Sequence, residues 1–166
     1  MDITHIAREY QKTYLLYTLI NMDAADFFSD EQKQQIKSAI ERMEHKTSGE
    51  IRLHVESDCK GDAYERAVHV FHKLHMHKTK HHNAVLFYLA VNHKKFAIVG
   101  DSGIHKSVLE NFWVTVKDHV IAQFKQDKFT EGICEGIDMT GEMLKKYFPH
   151  GENDKNQLSD EISYGK

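Results

Sequence analysis

The sequence predicts an α/β protein: a small mixed β-sheet of three to four strands, with a central β-hairpin and one parallel crossover strand, sandwiched between helices. Three observations predict it. "GEIRLHVES" (49–57) alternates Ile51, Leu53 and Val55 with Glu50, Arg52 and His54, the period of two that a strand requires. "NAVLFYLAV" (83–91) is a near-continuous apolar run, as in a strand covered on both faces, and after "NHKK" the chain returns as "KFAIVGD" (95–101), an antiparallel partner. Segments of helical periodicity separate and flank these strands, so the order is α, β, α, β, β, α, α.

The first helix starts after Ser29. Ser29 and Gln32 fit a capping box, Asp30 and Glu31 suit the positive end of the helix dipole, and Ile36, Ala39, Ile40 and Met43 recur on one face as far as His45. Asp62 is a candidate cap for a helix over 63–75, whose expected apolar stripe is Tyr64, Ala67, Val68, Phe71 and Leu74. A helix joins strands 49–57 and 83–91, so those two are expected to run parallel. A long helix is expected over 104–125, with Val108, Phe112, Val116, Val120 and Phe124 spaced by four. The last helix runs over 130–148, inward at Ile133, Ile137, Leu144 and Phe148, and stops at Pro149. Gly132 and Gly136 each cost about 1 kcal/mol in a helix interior relative to alanine, which close backbone packing would offset.

Both ends are expected to lie outside the compact domain. Residues 1–26 read as an N-terminal helical extension, with Ile6, Tyr10, Tyr14, Leu15 and Tyr17 as its apolar contacts over 5–20. Residues 27–149 form the domain, and the polar stretch 150–166 reads as a disordered tail.

The totals narrow the function classes. The chain has 166 residues, 40% of them hydrophobic and 28% charged, with a net charge of −3, which suits one soluble domain without a phosphate-tracking basic face; no nucleic-acid partner is expected. "TYLLYTLI" (13–20) is far shorter than the ~20 apolar residues of a membrane span, and no cleavable signal precedes the domain, so neither membrane insertion nor export is expected. Cys59 and Cys134 read as free thiols in a reducing cytoplasm.

Strand polarity gathers the candidate site. If strands 49–57 and 83–91 are parallel, Glu50 and Asn83 lie at entering ends, and strand 95–101 exits at that same edge with Asp101. The loop "HKTKHH" feeds into Asn83 there, so one edge collects Glu50, Thr79, His81, His82, Asn83 and Asp101. Carboxylates, an amide and carbonyls are hard oxygen ligands, which favour Ca²⁺ or Mg²⁺ over Zn²⁺; the expected metal site is Glu50, Thr79, Asn83 and Asp101. The plain alternative is that Asp101 caps the following helix and Glu50 is a solvated strand end. The five histidines of "FHKLHMHKTKHHN" (71–83) lack HExxH or paired Cys/His spacing, and read as a helix end and loop with opportunistic Zn²⁺ or Ni²⁺ affinity at most.

Five stretches in order, "FFSDEQKQQIKSAI", "TSGEIRLHVE", "LHMHKTKHHNAVLFYLA", "KFAIVGDSGIH" and "FTEGICEGI", resemble the TPM domain family across residues 27–149. The resemblance implies an α/β sandwich whose mixed sheet often has four strands, divalent-metal binding in some members and an acid phosphatase activity claimed for at least one. Many relatives carry a signal and a membrane anchor; this chain resembles a stand-alone branch. The expected function is therefore a divalent-cation-binding accessory module, a monomer or weak homodimer with an unidentified protein partner. Its rivals are a metal-assisted acid phosphatase centred on Asp101 or Ser102, and a structural interaction domain docking through its N-terminal helix.

Overall fold

The computed structural model describes residues 22–105, 108 and 111–165. The expected helix over residues 5–20 lies outside the described residues. The elements are α1 (Asp30–Glu44), β1 (Glu50–Glu56), α2 (Ala63–Lys73), β2 (Ala84–Ala90), β3 (Lys95–Gly100), the one-turn α3 (Ser102–His105), α4 (Asn111–Phe124), α5 (Phe129–Tyr147) and β4 (Ser163–Gly165), with 3-10 turns at Ala24–Asp26 and Met76–Lys78. The sheet order is β3-β2-β1-β4: β1 is parallel to β2 and to β4, and β2 is antiparallel to β3.

Alternation along the strands divides the core between two faces. Ile51, Leu53, Val55, Val85, Phe87 and Leu89 pack with Ile36 and Ile40 of α1, Val116 and Val120 of α4, and Ile133 and Ile137 of α5. On the other face Ala84, Leu86, Tyr88, Ala97 and Val99 meet Ala67, Val70 and Phe71 of α2 and Met76 of the 3-10 turn. Helices thus cover both faces, as expected. β2 is buried at every position, which accounts for its unbroken apolar run.

Local chemistry sets the ends. The Ser29–Gln32 capping box forms with both reciprocal bonds, and Asp62 accepts from the Glu65 backbone N–H at 2.9 Å. A Cβ on Gly136 would lie 2.7 Å from Val120 Cγ2 and 3.0 Å from a Phe87 ring carbon, so α5 approaches α4 and β2 through the missing side chain.

Four expectations need correction. The stretch 150–166 is not a free tail: it folds back along β1 and ends in β4, the fourth strand, with Leu158 and Ile162 against the two cores. Its apolar residues are too few and too widely spaced to announce a strand, but the open edge of β1 supplies the pairing partner that a short strand needs. The compact unit also begins before residue 27, because Ala24 is buried and its N–H donates to Ser57 Oγ at 3.0 Å. On α2 the buried stripe is Ala67, Val70 and Phe71, while Tyr64 is 56% exposed in the first turn. The span expected as one helix over 104–125 holds α3 and α4 as separate helices, and the Asp101 side chain accepts from the Ser102 N–H at 2.7 Å where the first begins.

Candidate functional site

The edge at the entering ends of β1 and β2 is built from backbone first. Glu50 is registered with Ala84, and Asp101 donates its N–H to Ala84 O at 2.9 Å, so Glu50 and Asp101 flank Ala84 at one end of the sheet. The strand polarity on which the site depends is therefore as expected.

The loop before β2 is pinned to this edge. His82 donates its N–H to Thr79 O at 3.3 Å and accepts at its own carbonyl from the Gly103 N–H at 2.8 Å. A Cβ on Gly103 would sit against the carbonyl oxygens of His81 and His82, 2.5 Å from the latter, so only glycine lets the "DSG" turn approach the loop this closely. His75 and His82 hold left-handed backbone angles, φ 57° and 49°, which cost a non-glycine residue about 1 kcal/mol or more and persist because the loop is fastened at both ends.

Three of the four expected metal ligands carry buried, unpartnered oxygen atoms. Thr79, Asn83 and Asp101 are 3%, 0% and 8% exposed. Thr79 Oγ1, Asn83 Oδ1 and Asp101 Oδ2 are buried, and none has a hydrogen-bond partner among the described residues. The remaining polar atoms orient the side chains: Asn83 Nδ2 donates to Ser48 Oγ at 3.3 Å, and Asp101 Oδ1 takes the Ser102 N–H. The exposed His82 ring brings Nδ1 to 3.6 Å from Asp101 Oδ2, beyond hydrogen-bond length. A buried polar atom left unpaired costs roughly 1–3 kcal/mol. Three orphaned oxygens at one edge, two from the loop before β2 and one from the end of β3, therefore suit a group that accepts lone pairs, and a hard cation is such a group.

Glu50, the fourth, behaves differently. Its carboxylate accepts the Gln157 N–H at 2.7 Å and lies 3.4 Å from the Leu158 N, so it is already engaged by the C-terminal segment. Lys80 fastens the same segment by donating its N–H to Gln157 Oε1 at 2.9 Å. Glu50 also lines a pocket of about 240 Å³ with Glu44, Asp154 and Asp160. Burial raises the Glu44 carboxyl well above the ordinary carboxylate value, helped by Asp160 and Glu50, and burial raises Glu50 as well. Sequence reading missed this pocket because Asp154 and Asp160 belong to the supposed tail.

The histidine-rich stretch makes a loose ring cluster. His72 and His77 stand 4.9 Å apart between ring centroids and His75 and His77 6.2 Å, with His72 and His75 exposed. Among the described residues, no group of three or more His, Cys, Asp or Glu side chains is arranged to hold a metal ion.

A second polar cluster, unforeseen from sequence, lies toward the far end of β1. Glu56 accepts from Arg66 Nε at 2.9 Å and from the Tyr88 hydroxyl at 2.6 Å, and it lies 3.3 Å from His54 Nε2, while His54 Nδ1 meets Ser163 Oγ at 2.8 Å. Burial pulls Glu56 upward, but Arg66 and Tyr88 outweigh it and hold the carboxyl below its ordinary value; burial holds His54 below the usual imidazole value. This row contains a serine, a histidine and a glutamate, yet Glu56 is taken up by Arg66 and Tyr88, and the row ties β4 to the sheet.

Fold and edge together define an α/β sandwich with a mixed four-stranded sheet and a loop-walled polar rim. The TPM domain profile matches residues 21–143, and the chain belongs to this family. The NMR structure of BA42 protein from the psychrophilic bacterium Bizionia argentinensis is similar at 43% identity and a TM-score of 0.80, over 84% of this chain and 97% of that one. The N-terminal domain of a protein from P. gingivalis (15% identity, TM-score 0.63, 82% and 89% covered) and that of cg2496 from Corynebacterium glutamicum (12%, 0.61, 81% and 84%) share the fold. Comparison with curated proteins finds no match. No described helix is long and apolar enough to cross a membrane.

Proposed function

We propose that this TPM-domain protein binds a divalent cation of the Ca²⁺ or Mg²⁺ class at the rim formed by Thr79, Asn83 and Asp101, and serves as a cation-responsive accessory module rather than as an enzyme. The observation that carries this reading is the trio of buried, unpartnered oxygens. Asp101 supplies the formal charge, Thr79 and Asn83 supply neutral oxygens, and Glu50, across Ala84, adds negative potential while anchoring the C-terminal segment. Few charged ligands imply weak binding, on the order of 10⁻⁴–10⁻³ M. The unpaired thiols of Cys59 and Cys134 suit a cytoplasmic setting.

The test is a titration of metal-free protein with Ca²⁺, Mg²⁺ and Zn²⁺, followed by amide NMR. Shifts at residues 79–83 and 101–104 are expected with Ca²⁺ or Mg²⁺, and Asp101→Asn, which keeps the Ser102 contact at Oδ1, should weaken them at least tenfold. Shifts confined to His72–His77 and seen only with Zn²⁺ would assign the metal to the histidines instead. In parallel, hydrolysis of p-nitrophenyl phosphate above background, lost in Asp101→Asn, would replace the accessory reading with metal-assisted phosphatase chemistry.

A further inference from the structure

Glu50, Ala84 and Asp101 form one row across three strands. Glu50 is registered with Ala84, and Asp101, one residue beyond the Gly100–Val85 pair, donates its N–H to Ala84 O at 2.9 Å. Alternation puts the row on the α2 face of the sheet: Ile51, Val85 and Ile98 belong to the other face, while Ala84, Leu86 and Val99 belong to this one. Neighbouring strands stand about 4.8 Å apart, so the Cα atoms of Glu50 and Asp101 are about 10 Å apart. A glutamate and an aspartate on one face bridge that span through a shared cation with metal–oxygen contacts of about 2.4 Å. Ala84, fully buried between them, presents only a methyl group to the gap.

Glu50 nevertheless points elsewhere. Its Oε1 accepts the Gln157 N–H at 2.7 Å, and its Oε2 lies 3.4 Å from the Leu158 N. That position is crowded with like charge, because Glu44, Asp154 and Asp160 line the same pocket against Lys155. Burial, with the Asp160 charge, opposes ionisation of Glu50 there, and the two backbone donors work against it. The segment that supplies those donors is lightly held. Gln157 is exposed, Leu158 is partly buried, and the Lys80 N–H donates to Gln157 Oε1 at 2.9 Å. Segments with so few buried contacts open locally at low cost. Through Lys80 the same segment also touches the loop that carries Thr79 and Asn83.

We propose that Glu50 serves two alternative partners, which makes the C-terminal segment a competitive regulator of the cation rim. Without a cation, Glu50 caps residues 157 and 158. With a cation at Thr79, Asn83 and Asp101, its carboxylate turns across Ala84 to become the second charged ligand. Residues 156–158 are then released, while Ser163–Gly165 stay paired with His54–Glu56. This regulation rests on the rim being the cation site proposed above. The linkage is reciprocal: the factor by which the seated segment weakens the cation is the factor by which the cation weakens the seating.

The experiment titrates the full, metal-free chain with Ca²⁺ and, separately, with Mg²⁺, followed by amide NMR and hydrogen exchange. The Gln157 and Leu158 amides are expected to move toward random-coil positions and lose protection at the same midpoint as the amides of 79–83 and 101–104. Gln157→Pro removes the 2.7 Å donor and should bind the cation about five- to tenfold more tightly, the scale of one hydrogen bond. Unchanged amides in α1 and β2 would show that this variant is folded. Glu50→Gln keeps an acceptor oxygen for the segment but not the charge. Its rim amides should respond at higher cation concentration, and its 157–158 amides should stay in place throughout. Rim amides that shift in the parent while 157–158 keep position and protection would overturn the regulation and leave the cation site standing. Equal or weaker binding by folded Gln157→Pro would also overturn it, making the segment a support of the rim. A rim that responds to neither cation would remove both proposals.

Discussion

Gly103 does its work through an absent methyl group. The carbonyls of His81 and His82 occupy the place where its Cβ would stand, and its N–H fastens the loop that carries Thr79 and Asn83. Gly103→Ala is therefore expected to cost roughly 1–3 kcal/mol in urea unfolding, the range for overpacking, and to weaken Ca²⁺ binding by displacing the loop from Asp101. At Glu44 the effect is one of proton linkage. Its carboxyl, like that of Glu50, is raised in the folded state above the ordinary 4.5, so between the unfolded and folded values the native protein holds more protons than the unfolded chain. Stability is then fully present below the ordinary value and declines as pH rises through that window. Glu44→Gln should flatten the decline in a series of unfolding curves from pH 4 to pH 8; an unchanged slope would remove Glu44 from the account.

At the scale of elements, the C-terminal segment behaves as a strap. Residues 157 and 158 cap a buried carboxylate, Ser163–Gly165 pair with His54–Glu56, and Lys37 forms an ion pair with Glu161. Deleting residues 156–166 strips Glu50 of its donors and opens the edge of β1. A loss of about 2–3 kcal/mol is expected, seen as a fall in Tm of about 5–10 °C for a chain of this size, together with greater self-association through the bared strand. That strap was the least legible element. Polar composition suggested disorder, yet Leu158 and Ile162 suffice when β1 offers an unpaired backbone and Glu50 offers an acceptor. By contrast, α1 was readable to its cap because Ser29, Gln32 and the Ile36–Met43 stripe are all local signals.

At the scale of the whole molecule, two apolar layers share one sheet, and the Glu56 cluster ties α2, β1, β2 and, through His54 and Ser163, β4 together. Arg66 is partly exposed while Glu56 is fully buried, so removing the guanidinium leaves a charge that water reaches poorly. Arg66→Met is expected to destabilise by roughly 3 kcal/mol, the lower end for a broken buried pair. Because Glu56 is held below its ordinary value, the parent's advantage should be present above that value and shrink as acid protonates the carboxyl. Thermal unfolding of parent and variant at neutral and acid pH measures both effects.

The sequence by itself determined the period-two and apolar strands, the capped helices and the sheet end at which Glu50, Asn83 and Asp101 meet, because alternation, caps and crossover rules act over short or topologically forced distances. Only the tertiary structure decided which of those residues keep an oxygen unpaired. It turned Glu50 toward a strap seen in sequence as a loose end. Hydrogen-bond satisfaction and pocket shape depend on partners up to 124 positions apart along the chain, and no local pattern encodes those pairings.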